Sequence, residues 1–317
     1  MIKYAAQRLL LAIVTLLIIT FICFVLIRML PLAPLTPGDP HADIIEAKRE
    51  AMGYNKPYVV QFGIFLKNVI TKWDWGISDN NYLYGKDVAK LFAERLPATM
   101  LTNLYSILLS IPIGIALGIW AALKKNKMTD HLISTLTMVV ISVPSFVYAF
   151  LIQYVLSYKL GWFPFIMEGG PLLSWKVFWS MMPAVLALSF GVIAGFTRVT
   201  RAELTEVLTS EFMLLARTKG LTKTQATIRH AMKNCMVVIL PSIFGEFIGI
   251  MSGSLIIEKI FAIPGVGDLY LNSINFTNYP IFTMMTVFYT AIGLLAGVIV
   301  DISYGFIDPR IRMGSRK

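Results

Sequence analysis

The chain has 317 residues, is 56% hydrophobic and only 15% charged, and has a mean hydropathy of +0.70. Soluble domains are nearer half apolar and a quarter charged, so this composition excludes an ordinary soluble domain and indicates an integral membrane protein. The net charge of +10 does not indicate nucleic-acid binding, because the basic residues are concentrated in short segments between apolar runs.

Six apolar runs are long enough to span a bilayer, whose core of about 30 Å requires roughly 20 helical residues. The first follows Lys3 and Arg8 but is about twice as long as the apolar part of a signal peptide, so we interpret it as a retained span. In chain order, the predicted spans are 9–30, 99–123, 132–157, 178–197, 236–257 and 282–307.

The basic residues are distributed unevenly between the two sides of these spans. More than half of the 28 Lys and Arg residues lie in the short segments 1–8, 124–131, 198–235 and 310–317. Short loops rich in Lys and Arg remain in the cytoplasm. The pattern therefore predicts that both termini are cytoplasmic and that 31–96 forms one large external loop.

The external segment 31–96 opens with "PLAPLTPGDP", which favours turns, and continues with the amphipathic stretch "KPYVVQFGIFLKNVI". A segment of this length is long for a structureless loop. We expect a small folded cap that contacts a delivered ligand or an external partner. The alternative is a spacer that covers the helix ends.

The second and third spans contain helix-packing and helix-breaking residues. Gly114 and Gly118 have the spacing that lets two membrane helices approach closely. Pro112 and Pro144 each remove a backbone donor and favour a kink. The residues around Pro144 either cap the kink locally or line a translocation path, and the candidate path residues here are Ser142, Pro144, Ser145 and Phe146.

Two acidic residues lie within the predicted spans, where an ionised side chain should face protein or water. Asp301 lies near Tyr304 and the terminal arginines, so we expect a structural hydrogen bond there. Glu246, in "GEFIGIMSGS", either lines a polar cavity for a cationic or peptide substrate or braces its span. Ser252 in the same stretch is a further candidate path residue.

The segment Ser210–Asn234 is basic although apolar runs flank it on both sides. Ser210 is a candidate N-cap for a short helix, and Glu211 is favourable in its first turn. Gly220 is expected to end that helix because glycine adopts left-handed backbone angles readily. Thr222 and Gln225 predict a capping box for a second helix that runs into the fifth span.

The first of these helices is predicted to be amphipathic. Leu208, Phe212, Leu215 and Ala216 follow helical spacing and form one apolar stripe, with Arg217 and Lys219 off it. Such a helix either docks into a groove of another protein or lies on anionic lipid. The glycine break and the caps favour docking.

Several motifs together resemble one known family. "LARTKG" at 215–220 and "RHAMKN" at 229–234 are similar to the cytoplasmic loop of ABC-importer permeases, in particular the first permease subunit of dipeptide, oligopeptide and nickel importers. Asn278 stands where that group usually has aspartate. Motifs of the same group follow in order along nearly the whole chain: "PGDP", "GIS", "ERLPAT", "SVPSF", "LGWFP", "EKIFAIPGVG", "NYP" and "VDISYGFIDPRIR".

The resemblance implies an all-α membrane protein with six transmembrane helices of the ABC type I importer permease kind. It implies a bacterial cytoplasmic membrane location, and as partners a second homologous permease, two ATP-binding subunits and an external substrate-binding protein. ATP and Mg would be bound by the partner subunits, and no cofactor or metal by this chain. In the cytoplasmic coupling loop 198–235, the residues expected to couple to the ATP-binding subunits are Glu211, Phe212, Leu215, Ala216, Arg217, Lys219 and Gly220.

The sequence leaves the cargo open. Oligopeptides or dipeptides are the expected cargo, and nickel or another small solute carried by the same machinery is the alternative. A different class is an ion-coupled secondary carrier that uses Glu246 and Asp301 as a proton relay. No P-loop, zinc-protease or serine-hydrolase motif is present in the sequence, so an enzyme is not expected.

Overall fold

The structure, a computed structural model, describes residues 2–31, 42–78, 83 and 85–307, and this part of the chain is almost entirely helical. Strand-like pairing among these residues is limited to one isolated bridge between Ile77 and Asp87. The helices are α1 (Ile2–Arg28), α2 (Ala42–Ala51), α3 (Tyr58–Lys72), α4 (Val88–Leu123), α5 (Met128–Ser142), α6 (Ser145–Ile152), α7 (Trp175–Leu208), α8 (Glu211–Thr218), α9 (Lys223–Ala226), α10 (Met232–Gly249), α11 (Leu255–Ile260), α12 (Val266–Asn275) and α13 (Tyr279–Ile307).

Five helical stretches in the described residues are long and apolar enough to cross a membrane, and a bent pair supplies a sixth candidate. The bent pair consists of Met128–Ser142 and Ser145–Lys159, whose axes differ by 101°. The straight stretches are Tyr4–Arg28, Val88–Leu123, Trp175–Leu208, Thr224–Ser252 and Tyr279–Ser303. The chain is therefore an all-α, multi-pass membrane protein.

Two of the predicted spans differ from the observed helices. The run 132–157 is broken at Val143 and Pro144 rather than kinked, because Val143 is extended at the end of α5 and Pro144 starts a new helix direction. The run 236–257 is also interrupted. Gly253 has φ +58 and the Ser254 hydroxyl accepts from Ile257 N, so that α11 begins as a separate helix. In contrast, α4 continues through Pro112.

The chain forms two compact units. The central unit comprises Leu101–Ile250 and the chain from Ala296, and the N-terminal unit comprises Ile2–Met100 and Met251–Leu295. The core of the central unit draws on α4, α7, α8 and the helical run from α9 to α10. Its buried residues are Ile107, Ile111, Ala122, Phe196, Leu204, Met213, Ala216, Ala226, Ala231, Cys235, Ile239 and Ile250.

Gly114 and Gly118 bring α4 close to α7 in the central unit, as their spacing predicts. A Cβ atom at Gly114 would lie 2.8 Å from Phe196 Cβ, and one at Gly118 would lie 2.6 Å from Thr200 Cβ and 2.8 Å from the Thr197 carbonyl. The Thr197 hydroxyl donates to the Gly114 carbonyl at 3.2 Å. The close approach thus permits a direct side chain-to-backbone hydrogen bond between the two helices.

In the N-terminal unit, the segment that follows α1 packs against it through aromatic rings. Phe24 of α1 lies 5.5 Å from Phe62 and 5.2 Å from Phe65 of α3, measured between ring centroids. Trp75 meets Phe65 at 5.9 Å, and the Arg28 guanidinium lies 3.5 Å from the Tyr54 ring centroid. Residues 42–78 are therefore folded onto the end of the first span; 32–41, with the "PGDP" motif, lie outside the described residues.

The close approach of α4 and α7 predicts that a larger side chain at position 118 destabilises the chain. Substitution Gly118→Ala should destabilise the chain by about 1–3 kcal/mol, because an added methyl group forces the two backbones apart. The matched control is Gly293→Ala in α13, where an added Cβ has no atom within 4 Å. Thermal unfolding of the purified protein in detergent measures both, and an unfolding midpoint for Gly118→Ala as high as that of the control would contradict the prediction.

Candidate functional site

Helix α8 is the short helix predicted within the basic segment, and both of its ends are defined locally. Gly220 has φ +90 and its N–H donates to the Arg217 carbonyl at 3.0 Å, which stops the helix as expected. Ser210 occupies the N-cap position, but its side chain makes no cap hydrogen bond. Its hydroxyl donates instead to the Val207 carbonyl at the end of α7, so the expected capping bond was wrong.

The apolar residues of α8 are divided between two faces rather than forming one stripe. Met213 and Ala216 are buried in the core of the central unit, with exposures of 4% and 7%. Phe212 and Leu215 precede them by one position each, which rotates them by about 100° on a helix, and both are exposed. The predicted stripe of Phe212, Leu215 and Ala216 is therefore wrong: Ala216 anchors the helix, while the other two face outward.

The outward face of α8 is apolar at its centre and polar at its edges. Leu214, at 65% exposure, lies beside Phe212 and Leu215, while Glu211, Arg217 and Lys219 are also exposed. After Gly220, Thr222 and Gln225 form the predicted capping box, with Thr222 N donating to Gln225 Oε1 at 3.1 Å and Gln225 N to Thr222 Oγ1 at 3.2 Å. Helix α9 then continues through the π-helical turn Thr227–Ala231 into α10.

Glu246 lies in a cavity of about 280 Å³ between α7 and α10. Small residues on α7 make the room, since Gly191 and Gly195 have no side chains to fill it. The cavity is lined by Gly191, Val192, Gly195, Phe196, Val199, Ser242 and Glu246. Of the two roles considered for Glu246, this arrangement favours lining a cavity over bracing a span.

The other candidate path residues do not line this cavity. The Ser142 hydroxyl donates to the Met138 carbonyl of its own helix at 2.8 Å, the local role considered for it. Pro144, Ser145 and Phe146 are exposed at the break between α5 and α6. Ser252 lines a different cavity, in the N-terminal unit. Asp301 is half-buried on α13, while the Tyr304 side chain and the terminal arginines lie outside the described residues.

Glu258 is the buried carboxylate of the N-terminal unit, with an exposure of 2%. It accepts from the Thr99 hydroxyl and from the backbone N–H of Gly267, both at 2.8 Å, and from Asp268 N at 3.2 Å. The Thr99 hydroxyl in turn accepts from Val266 N at 2.9 Å. Glu258 therefore fastens the first turn of α12 to α4.

Glycines surround the Glu258 carboxylate. A Cβ atom at Gly253 would lie 2.5 Å from Glu258 Oε1, one at Gly267 would lie 2.8 Å from Oε2, and one at Gly265 would overlap Oε2. These three positions therefore have no room for a side chain.

Burial raises the pKa of Glu258 to about 7. The hydrogen bonds that the carboxylate accepts from Thr99, Asp268 and Gly267 oppose this shift.

A second fastening lies in the central unit, between α5 and α7. The Arg201 guanidinium binds both carboxylate oxygens of Asp130, which is 1% exposed, with Nη2 to Oδ2 at 2.8 Å. Asn126 N also donates to Oδ2 at 2.9 Å, from a backbone with φ +62. The bidentate pair fixes the connection from α4 to α5 against α7.

The sequence matches a family model described as the binding-protein-dependent transport system inner membrane component over residues 114–313. A model for the N-terminal part of such membrane components matches residues 1–102. The chain belongs to this family. It is therefore the permease subunit of an ABC importer.

Relatives of this permease match it along most of its length. The chain is 32% identical to a dipeptide transport system permease protein of Lactococcus lactis subsp. cremoris, over 99% of this chain and 100% of the relative. It is 30% identical to a glutathione transport system permease protein of Escherichia coli strain K12, over 98% and 99%.

A solved structure supports the fold of this permease independently. A crystal structure of an amino acid ABC transporter with histidines matches with a TM-score of 0.52 and 19% identity. The match covers 69% of this chain and 94% of that one. At this identity the likeness shows the fold alone, which agrees with the all-α membrane architecture described above.

Sequence reasoning missed Glu258 and Asp130 because it weighed only acidic residues inside the apolar spans. Glu258 opens the motif "EKIFAIPGVG", and Thr99 closes the motif "ERLPAT". The signal was the combination of one carboxylate with glycines 5 residues before and 7 and 9 residues after it. Three close glycines leave room for a buried acceptor with backbone donors around it.

The raised pKa of Glu258 predicts that the stability of this permease depends on pH. Since the folded-state pKa is raised from 4.5 to about 7, the contribution of Glu258 to stability is fully present below pH 4.5 and is lost as pH rises through about 7. Thermal unfolding between pH 4.5 and 7.5 should show this decline in the wild type and a flatter profile in Glu258→Gln.

The truncation Glu258→Ala provides the companion measurement. It leaves the Thr99 hydroxyl and the N–H groups of Gly267 and Asp268 without their acceptor, at about 1–3 kcal/mol for each buried donor that stays unsatisfied. The unfolding midpoint should fall further for Glu258→Ala than for Glu258→Gln. Equal midpoints, or a pH profile that Glu258→Gln leaves unchanged, would contradict the network.

Proposed function

We propose that this permease imports oligopeptides or dipeptides in an ATP-driven machine in the bacterial cytoplasmic membrane. The observation that carries the proposal is the similarity over nearly the whole chain to a dipeptide permease and a glutathione permease, both of which handle molecules with peptide bonds. The cavity with Glu246 is consistent with such a cargo, because a carboxylate in a small, largely apolar cavity suits the ammonium group of a peptide.

The proposed machine contains four kinds of subunit. This permease pairs with a second homologous permease, and the translocation path runs between them. An external substrate-binding protein delivers the cargo to the outer loops, including 31–96 and 258–281. Two ATP-binding subunits on the cytoplasmic side bind ATP and Mg and hydrolyse the nucleotide, so this chain has no ATPase site of its own. Both of its termini are cytoplasmic.

Helix α8 is the proposed coupling element between this permease and an ATP-binding subunit. Its outward face presents Phe212, Leu214 and Leu215, which are 41%, 65% and 56% exposed among the described residues. Exposed apolar side chains on a short helix suit a hydrophobic groove in a partner. Met213 and Ala216 on the opposite face hold α8 to the core of the central unit. Motion of the ATP-binding subunits therefore reaches the spans as rigid-body motion.

Reconstitution tests the function and its alternatives together. The permease and its partner subunits are placed in proteoliposomes with internal ATP, and uptake of dialanine, tetra-alanine and nickel ions is measured with the binding protein present. ATP-dependent uptake of either peptide supports the proposal. Uptake of nickel ions without peptide supports the alternative cargo, and uptake driven by a proton gradient without ATP supports a secondary carrier.

If the outward face of α8 docks on an ATP-binding subunit, a charge at Leu215 should disrupt the contact. Substitution Leu215→Glu should prevent copurification of the ATP-binding subunits, because the carboxylate would be buried without a partner in their groove. Leu215 is 56% exposed, so folding of the permease itself should be unchanged. The control is Glu206→Gln at the exposed end of α7, which alters charge without altering α8. Normal copurification of Leu215→Glu would contradict docking through this face.

The turn at Gly220 gives a second prediction. Proline requires φ near −65° and has no N–H, whereas Gly220 has φ +90 and donates to Arg217. Substitution Gly220→Pro should therefore abolish ATP-driven uptake while the chain still inserts into the membrane. The control is Gly63→Ala on α3, where an added Cβ meets open space. Uptake at the wild-type rate by Gly220→Pro would count against the coupling role.

A further inference from the structure

A cavity of about 440 Å³ lies within the N-terminal unit, separate from the cavity that contains Glu246. Its volume lies within the range of about 300–1,000 Å³ that is usual for small-molecule sites. Four pieces of chain meet there: the turn after α10, the start of α11, helix α12 and helix α13. The lining residues are Ser252, Gly253, Leu255, Tyr270, Thr286, Tyr289 and Thr290.

Helix α13 supplies a polar wall to this cavity. Thr286, Tyr289 and Thr290 are spaced at i, i+3 and i+4, which places them on one side of the helix. Thr286 and Thr290 donate their hydroxyl protons to the carbonyls of Phe282 and Thr286, at 2.9 and 2.8 Å. Their oxygen lone pairs remain available as acceptors towards the cavity.

Tyr270 of α12 lines the same cavity, and its ring is held by two aromatic neighbours. Its ring stacks on Phe282 with centroids 5.2 Å apart and meets the Tyr289 ring edge-on at 5.4 Å. Among the residues that the structure describes, nothing accepts from or donates to the Tyr270 hydroxyl. It is therefore free to donate to a ligand. The Tyr289 hydroxyl is itself buried, so Tyr289 contributes its ring to the lining.

Glu258 packs against Gly253 in the turn after α10, on the side away from the cavity. Gly253 lines the cavity, and a Cβ atom there would lie 2.5 Å from the Glu258 carboxylate. The carboxylate is engaged by Thr99, Gly267 and Asp268 and does not line the cavity. The lining thus carries hydroxyl donors and acceptors, aromatic rings and an aliphatic side chain, with no ionisable acid or base other than tyrosine.

We propose that this cavity is a contact site for an uncharged peptide unit of the cargo, with Tyr270 donating to a backbone carbonyl and Thr286 or Thr290 accepting from a backbone N–H. The inference rests on the proposed peptide-import function and adds the chemistry of recognition. A peptide bond offers one donor and one acceptor, which matches this set of groups. A bare metal ion finds no carboxylate, imidazole or thiolate in the lining.

The test uses the complete transporter in proteoliposomes, with whichever of dialanine and tetra-alanine the wild type imports. Substitution Tyr270→Phe keeps the ring against Phe282 and Tyr289 and removes only the hydroxyl. Substitution Thr290→Val removes an acceptor while keeping the shape. The control Tyr105→Phe removes a tyrosine hydroxyl from α4 whose ring packs on Phe178.

At saturating binding protein, peptide transport by Tyr270→Phe and by Thr290→Val should fall about two- to tenfold, the value of one hydrogen bond. Assembly and the ATP hydrolysis rate without cargo should stay at the wild-type level, as should all rates of Tyr105→Phe. Unchanged peptide transport in both cavity variants would overturn the inference. So would an equal loss of transport and of cargo-free ATP hydrolysis, which would indicate a structural role.

A photoreactive residue placed at position 270 gives an independent readout. A peptide adduct supports the contact, whereas an adduct only with the second permease or only with lipid overturns it. Failure of the proposed function is distinguishable, because the wild-type transporter would then import neither peptide.

Discussion

The one-sided burial of α8 is the constraint on which the coupling account depends. Met213 and Ala216 fasten this eight-residue helix into a core that also contains Leu204 of α7 and Cys235 and Ile239 of α10. A helix of this length has little stability alone, so its conformation depends on this anchorage and on the turns at its two ends. The anchorage also leaves Phe212, Leu214 and Leu215 outside, where they are accessible to another protein.

Two further contacts hold the spans of the central unit together: one joins α4 to α7, and the other joins α5 to α7. At Gly114 and Gly118, α4 and α7 approach so closely that side chains other than hydrogen would overlap. The Asp130–Arg201 pair fixes the start of α5 to α7 with bidentate hydrogen bonds. Packed protein cores are bistable rather than continuously deformable. In the proposed coupling, a displacement of α8 would therefore be transmitted to α4, α5, α7 and α10 rather than absorbed near it.

Sequence reasoning found those features that depend on local chemistry. Hydropathy pointed to five long apolar helices and to a sixth run that is a bent pair. The Thr222–Gln225 capping box formed as expected, and Gly220 adopted the left-handed backbone that its position requires. It failed where tertiary packing decides. Helical spacing alone does not reveal that Ala216 is buried while Leu215 is exposed. It predicted only a kink at Pro144 and no interruption at Gly253, although the chain breaks into separate helices at both places.

The candidate site was harder to predict because its partners are distant in sequence. Thr99 and Glu258 are 159 positions apart, and Asp130 and Arg201 are 71 apart. No local pattern pairs them. The two cavities likewise arise from residues of separate helices, so Glu246 and Ser252, which are close in sequence, line different cavities. Asn278 and Ser78 are likewise distant in sequence, and the Asn278 side-chain amide donates to the buried Ser78 hydroxyl at 2.6 Å.

The most direct measurement is a cysteine crosslink from the outward face of α8 in the assembled transporter. A cysteine is introduced at Leu215 in a chain whose own Cys23 and Cys235 have been replaced, and a short bifunctional reagent is added to membranes. We expect a product that joins the permease to an ATP-binding subunit and whose yield changes when ATP is added. Attachment of a lipid-soluble probe to this cysteine, with no crosslink to any protein, would contradict the account.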